Sequence, residues 1–132
     1  MTEYFERVKQ YVADLGYVIE RELPEEQLIR ISDDASGIQG LLIDCEDELL
    51  VLEQFILELA RPDAATLTRL LQINRELVHG ALALDEGGRR LIFRDTLQLE
   101  NLDLNELEAS IKSVSLMLAE HADEFIRIAS TA

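Results

Sequence analysis

The sequence predicts an α+β domain, an antiparallel sheet flanked by helices. Three observations carry this. Apolar residues repeat at helical spacing near the start, near the middle and along the C-terminal thirty residues. Between these segments the repeat switches to every second residue. The strand-like runs follow one another through short turns, which favours antiparallel pairing. The 132 residues fit a single domain, 1–132, with enough chain for one core.

The first helix is read from Tyr4, Phe5, Val8, Tyr11, Val12 and Leu15, spaced by threes and fours, with Thr2 as a candidate cap and Gly16 as a stop. From Tyr17 onward the pattern alternates. "YVIEREL" ends at Pro24, "QLIRIS" at the turn sequence "DDASG", and "IQGLLIDC" at "EDE". "ELLVLEQFILEL" then places Leu49, Val51, Phe55, Leu57 and Leu59 on one face and Leu50, Leu52 and Ile56 on the other. A strand apolar on both faces is central in its sheet or has its second face covered by a helix or another chain. This stretch holds three or four strands.

"RPDAATLTRLLQINREL" predicts a second helix with Pro62 in its first turn. Its stripe is Leu67, Leu70, Leu71, Asn74 and Leu77. Asn74 interrupts the stripe and either sets register between paired helices or hydrogen-bonds within its own subunit. "GALALDEGGRRLIFRDTLQLE" reads as a hairpin turning at "DEGG". Leu82 and Leu84 share one face, as do Leu91, Phe93, Leu97 and Leu99, broken by Asp95. Arg89, Arg90 and Arg94 are expected to pair with Asp85, Glu86 or Asp95 across the ribbon, or else to rim a partner surface. The last helix has the clearest start. Asp103 and Glu106 form a capping box, with Leu102 and Leu107 at the staple positions. Its seam (Leu104, Leu107, Ile111, Val114, Leu118, His121, Phe125, Ile128) runs to about residue 129.

Twenty-seven acids against twelve Lys and Arg give a net charge of −15. That charge repels phosphate backbones and anionic lipid, so nucleic-acid and membrane partners are not expected, and a basic or apolar protein segment suits it better. No apolar run approaches the ~20 residues of a membrane span. The start "MTEYFERVKQ" lacks the apolar core of a signal peptide, so the expected location is the cytoplasm. Cys45 is the one cysteine, set among acids in "LIDCEDE". It reads as a half-buried strand residue rather than a reactive thiol. His121 and Glu124 stand at a metal-compatible spacing, but no second pair accompanies them, so no metal is expected. The acidic runs at 33–34 and 44–48 lack calcium-loop spacing. No nucleophile elbow, phosphate loop or dinucleotide fingerprint appears, so neither catalysis nor a cofactor is expected.

The stretch "LLQINRELVHGALALDEGGRRLIFRDTLQLENLDLNELEASI", residues 70–111, resembles the type III secretion chaperone-like superfamily. The likeness is to its YbjN-type and Tir-chaperone-like small bacterial proteins. Leu71, Asn74, Gly80, Leu84, Asp85, Gly88, Leu91, Leu97, Leu99, Leu102, Asp103, Glu106 and Leu107 fall at places that match the pattern of that group. The resemblance implies the order α-β-β-β-α-β-β-α and a homodimer in which Leu67, Leu70, Leu71 and Asn74 sit at the interface. It further implies a non-catalytic module that holds an extended client segment, with Phe5, Val8, Val12, Ile29 and Ile31 as candidate groove residues. Taken singly, these five also read as ordinary core. The first forty residues carry no matching motif, and fold alone does not transfer function. The alternative role is an adaptor or regulatory subunit that binds a folded partner.

Overall fold

A computed structural model describes residues 2–130. Helix α1 (Thr2–Asp14) is followed by strands β1 (Val18–Leu23), β2 (Leu28–Asp33), β3 (Ile38–Glu46) and β4 (Leu49–Glu58). Helix α2 (Ala64–Asn74), the ribbon β5 (Ala81–Leu84) and β6 (Arg90–Gln98), and helix α3 (Leu104–Ile128) complete the chain. The alternating region thus holds four strands. All six form one antiparallel sheet in the order β1-β2-β3-β4-β6-β5. The side chain of Thr2 lies outside what the structure describes, so its expected cap is not placed.

The helices cover one face of the sheet. Phe5, Val8 and Val12 of α1, Leu70 and Ile73 of α2, and Leu107, Ile111, Val114, Met117 and Phe125 of α3 share one core with Ile29, Ile31, Leu41, Ile43, Leu50, Leu52, Leu91 and Phe93. Polar ties fix the helices over it. The Tyr11 hydroxyl donates to the Leu102 carbonyl, joining α1 to the start of α3. Ser110 Oγ donates to Asp95 Oδ2 at 2.7 Å, so the acid that breaks the β6 apolar face is satisfied by α3. Gln54, buried within the apolar run of β4, accepts from the Gln39 N–H and donates to the Gly37 carbonyl.

Three expectations shift. The register of β4 against β6 slips between Phe55 and Leu57, leaving Ile56 as an extra residue. This bulge reverses the alternation, so Leu57 and Leu59 join Leu50 and Leu52 on the helix side while Phe55 faces out. Strict period two had put Leu57 and Leu59 with Phe55. Next, Pro62 precedes the second helix. Asp63 is the cap, its carboxylate accepting the Thr66 N–H at 2.9 Å. Finally, α2 turns Ile73 rather than Leu71 to the core, and Leu71 is 69% exposed. The start of α3 matches its reading: Asp103 accepts the Glu106 N–H, and Leu102 and Leu107 are both buried. Within α3 the helix kinks at His121.

Candidate protein-binding surfaces

The five candidate groove residues meet, but inside the molecule. Phe5, Val8, Val12, Ile29 and Ile31 are all 2% exposed or less. All five belong to the one buried cluster that the helices share with the sheet. A three-four spacing facing an alternating strand looks the same whether the two close on each other or on a guest.

The four dimer candidates also converge, and they do so on the surface. Leu67, Leu70, Leu71 and Asn74 line one side of an apolar groove of about 300 Å³, and Leu82, Ala83, Leu84 and Leu91 line the other. Asn74 holds the groove together from within. Its side-chain oxygen accepts the Leu82 N–H at 2.7 Å and its amide donates to the Leu82 carbonyl at 3.1 Å. Of the two roles the sequence left open, this is the intramolecular one. It occupies the backbone groups of β5 that point away from β6, so this sheet edge is closed at Leu82.

The face of the sheet away from the helices is the second surface. Its strands carry Leu42, Phe55 and Ile92 between charged residues, with Leu42 and Phe55 exposed. Register shifts in β1/β2, β2/β3 and β4/β6 add twist. The curled sheet forms an open trough of about 710 Å³. Its floor is Leu42, Phe55 and Ile92, and the β5–β6 turn supplies Asp85 and Glu86 to its wall. The arginines of the ribbon do pair across strands, but with β4 and not with the hairpin's own acids. Arg94 bonds Glu53 at 2.8 Å, Arg89 lies 3.7 Å from Glu58, and the Arg90 guanidinium stacks 4.1 Å over the Phe55 ring. Asp85 instead accepts backbone N–H groups of Arg90 and Arg89 at its own turn. These bonds hold its carboxyl below the usual range.

On the same face, Asp44 stands beside Glu46 and near Glu26. Burial first, then the Glu46 carboxyl and the Glu26 charge, raise its pKa to about 6. The folded value exceeds the unfolded one, so this group favours the fold most below the unfolded value of 3.8, and that contribution is lost as pH rises through about 6. Asp44→Asn is expected to stabilise the protein at pH 7.5 by about 1 kcal/mol, after allowance for solvent screening, with the gain gone near pH 3.5. Urea denaturation at the two pH values measures this; an equal gain at both contradicts it.

Cys45 is buried in β3, and burial followed by the Asp44 charge pushes its thiol up to about 11, away from the reactive thiolate. His121 lies at the α3 kink with Nε2 3.4 Å from Glu76 and Nδ1 3.8 Å from Glu124, which is itself bound by Arg69 at 2.5 Å. Among the described residues no group of three or more His, Cys, Asp or Glu is placed to hold a metal ion. No helix among them is long and apolar enough to cross a membrane.

Comparison with solved structures finds the same architecture. YbjN from E. coli, described as a putative transcription regulator, superposes with a TM-score of 0.65 at 16% identity over 90% of this chain and 91% of that one. A chain of the HopA1–SchA chaperone–effector complex gives 0.64 at 14% identity over 89% and 93%. A chain of the ExsC–ExsE complex gives 0.63 at 18% identity over 99% and 96%. These likenesses establish the secretion-chaperone-like fold. No curated protein sequence matches the chain. The family model CesT_Tir_1 matches residues 1–131, so the resemblance first visible in residues 70–111 extends over nearly the whole sequence, and the chain belongs to the CesT_Tir_1 family.

Proposed function

We propose that the protein is a non-catalytic, chaperone-like protein-binding module of the cytoplasm that holds an extended segment of a client as a homodimer. The observation that carries this reading is the family match over residues 1–131 on a fold shared with a chain of the HopA1–SchA chaperone–effector complex. Two surface features support it. The α2–β5 groove gathers Leu67, Leu70, Leu71 and Asn74 into one apolar strip, with Leu71 exposed at its lip. The open sheet face adds a second apolar surface that no helix of the described residues covers. A net charge of −15 opposes association except across such apolar patches.

The dimer would form by pairing the α2–β5 strips of two copies, burying Leu71 against its counterpart. Light scattering on the purified protein is expected to give twice the 15.0 kDa chain mass. Leu71→Glu is expected to return it to a monomer without loss of helical signal, since that side chain is 69% exposed. A monomeric parent, or a variant that stays dimeric, contradicts this arrangement.

A further inference from the structure

Phe55 is a large aromatic on the outward face of a central strand, with a guanidinium laid over it. Ile92 of β6 is its direct cross-strand partner, Leu42 of β3 stands diagonally from it opposite Glu53, and all three line the trough. An aromatic, an arginine and aliphatic neighbours in a concavity are the composition of an interface centre rather than of a solvated face. The trough runs across β1, β2, β3, β4 and β6, four inter-strand spacings, or about 19 Å, which an extended chain covers with about six residues. Its ends are charged: Glu20 and Arg30 on one side, Asp85, Glu86 and Arg90 on the other, with Glu53 between. Four carboxylates against two guanidiniums leave the lining two charges negative, within a chain of net −15. Glu20 is already bound to Arg30 at 2.7 Å and Glu53 to Arg94, whereas no ion pair is formed by Glu86 among the described residues.

We propose that this trough docks an extended, apolar and basic peptide segment of about six residues, laid across the strands. The proposal rests on the protein-binding reading and gives it a surface and a partner chemistry. Apolar side chains of the segment cover Leu42, Phe55 and Ile92, and a cationic side chain meets Glu86 and Asp85 at the turn. A second copy of this chain does not suit the site: two concave troughs facing each other enclose a void, and each copy carries −15.

The test uses a fluorescein-labelled synthetic peptide of about eight residues, with leucines at alternate positions and lysines at both ends, beside a counterpart ending in glutamates. The lysine peptide is expected to bind at least about tenfold tighter at low salt, with the ratio collapsing near 0.5 M salt. Amide shifts on binding should cluster at Leu42, Phe55 and Ile92. Phe55→Ser should weaken the lysine peptide about tenfold and Glu86→Lys about threefold, both with unchanged circular dichroism. Leu71→Glu should leave the affinity unaltered, which separates this proposal from the dimer reading: either can fail while the other stands. Equal binding of the two peptides, no binding at millimolar concentration, unaffected binding by Phe55→Ser, or shifts centred on the α2–β5 groove each overturn it. A change of mass in the Phe55→Ser protein would show a second copy in the trough and overturn it equally.

Discussion

Gly80→Ala is expected to destabilise the protein by about 3 kcal/mol, lowering the thermal midpoint by about 10 °C. Gly80 has φ +72°, where an L side chain pays about 1–2 kcal/mol in steric strain. A Cβ built there would lie 2.4 Å from the Phe93 ring and 2.9 Å from the Arg94 carbonyl oxygen. Neither neighbour can yield easily. Phe93 is fully buried under the helices, and Arg94 sits in β6 with β4 on one side and β5 on the other. Gly16→Ala is the control. It has φ +90° but nothing within 4 Å of its Cβ, so it should lose only the conformational part, about 1–2 kcal/mol. Urea denaturation of the two variants separates clash from strain; equal losses contradict the account.

Asn74→Ala is expected to cost about 2 kcal/mol. The side chain makes two hydrogen bonds to one residue, Leu82, and Leu82 is buried. Truncation leaves a strand N–H and carbonyl without their partner at the edge of the sheet, where water reaches them poorly. Hydrogen exchange at the Leu82 amide should speed up by about the same free energy as the global loss or more. The freed β5 edge should also make the variant more prone to self-association on warming. An Asn74→Ala protein with parental stability and a protected Leu82 amide would show that the pair contributes nothing.

Gly80, Asn74 and Asp103 illustrate which parts of the fold the sequence displays. Each acts on residues within about a dozen positions, and each belongs to the stretch where a family pattern was visible. Turns, caps and hairpins are local, so their chemistry is written locally: Asp103 at its cap, Leu102 and Leu107 as the staple, the ribbon turning at "DEGG". The bulge at Ile56 is different. Nothing in "LEQFILEL" marks where the alternation slips, because the extra residue is accommodated by β6, some thirty-five positions later. That slip decided which apolar side chains of β4 face out. The phase of α2 is hidden for a related reason: Leu70, Leu71 and Ile73 are all apolar, and spacing alone does not select Leu70 and Ile73 for the core over Leu71. Core and groove were indistinguishable at Phe5, Val8, Val12, Ile29 and Ile31, since both need apolar residues at the same spacing. The trough was harder still. It gathers Arg30, Leu42, Phe55, Glu86 and Ile92 from four strands and a turn, and no window of sequence contains them together.

Limited proteolysis of the natively purified complex, with mass spectrometry of the protected fragments, tests the central claim most directly. The tagged protein would be recovered from its own cells with whatever remains bound at stoichiometric amounts. A chaperone-like module should protect a short segment of the bound protein while the flanking chain on both sides is digested, because a held segment is extended and otherwise unfolded. Protection of a whole folded domain would contradict the client-holding account and assign the protein to an adaptor role.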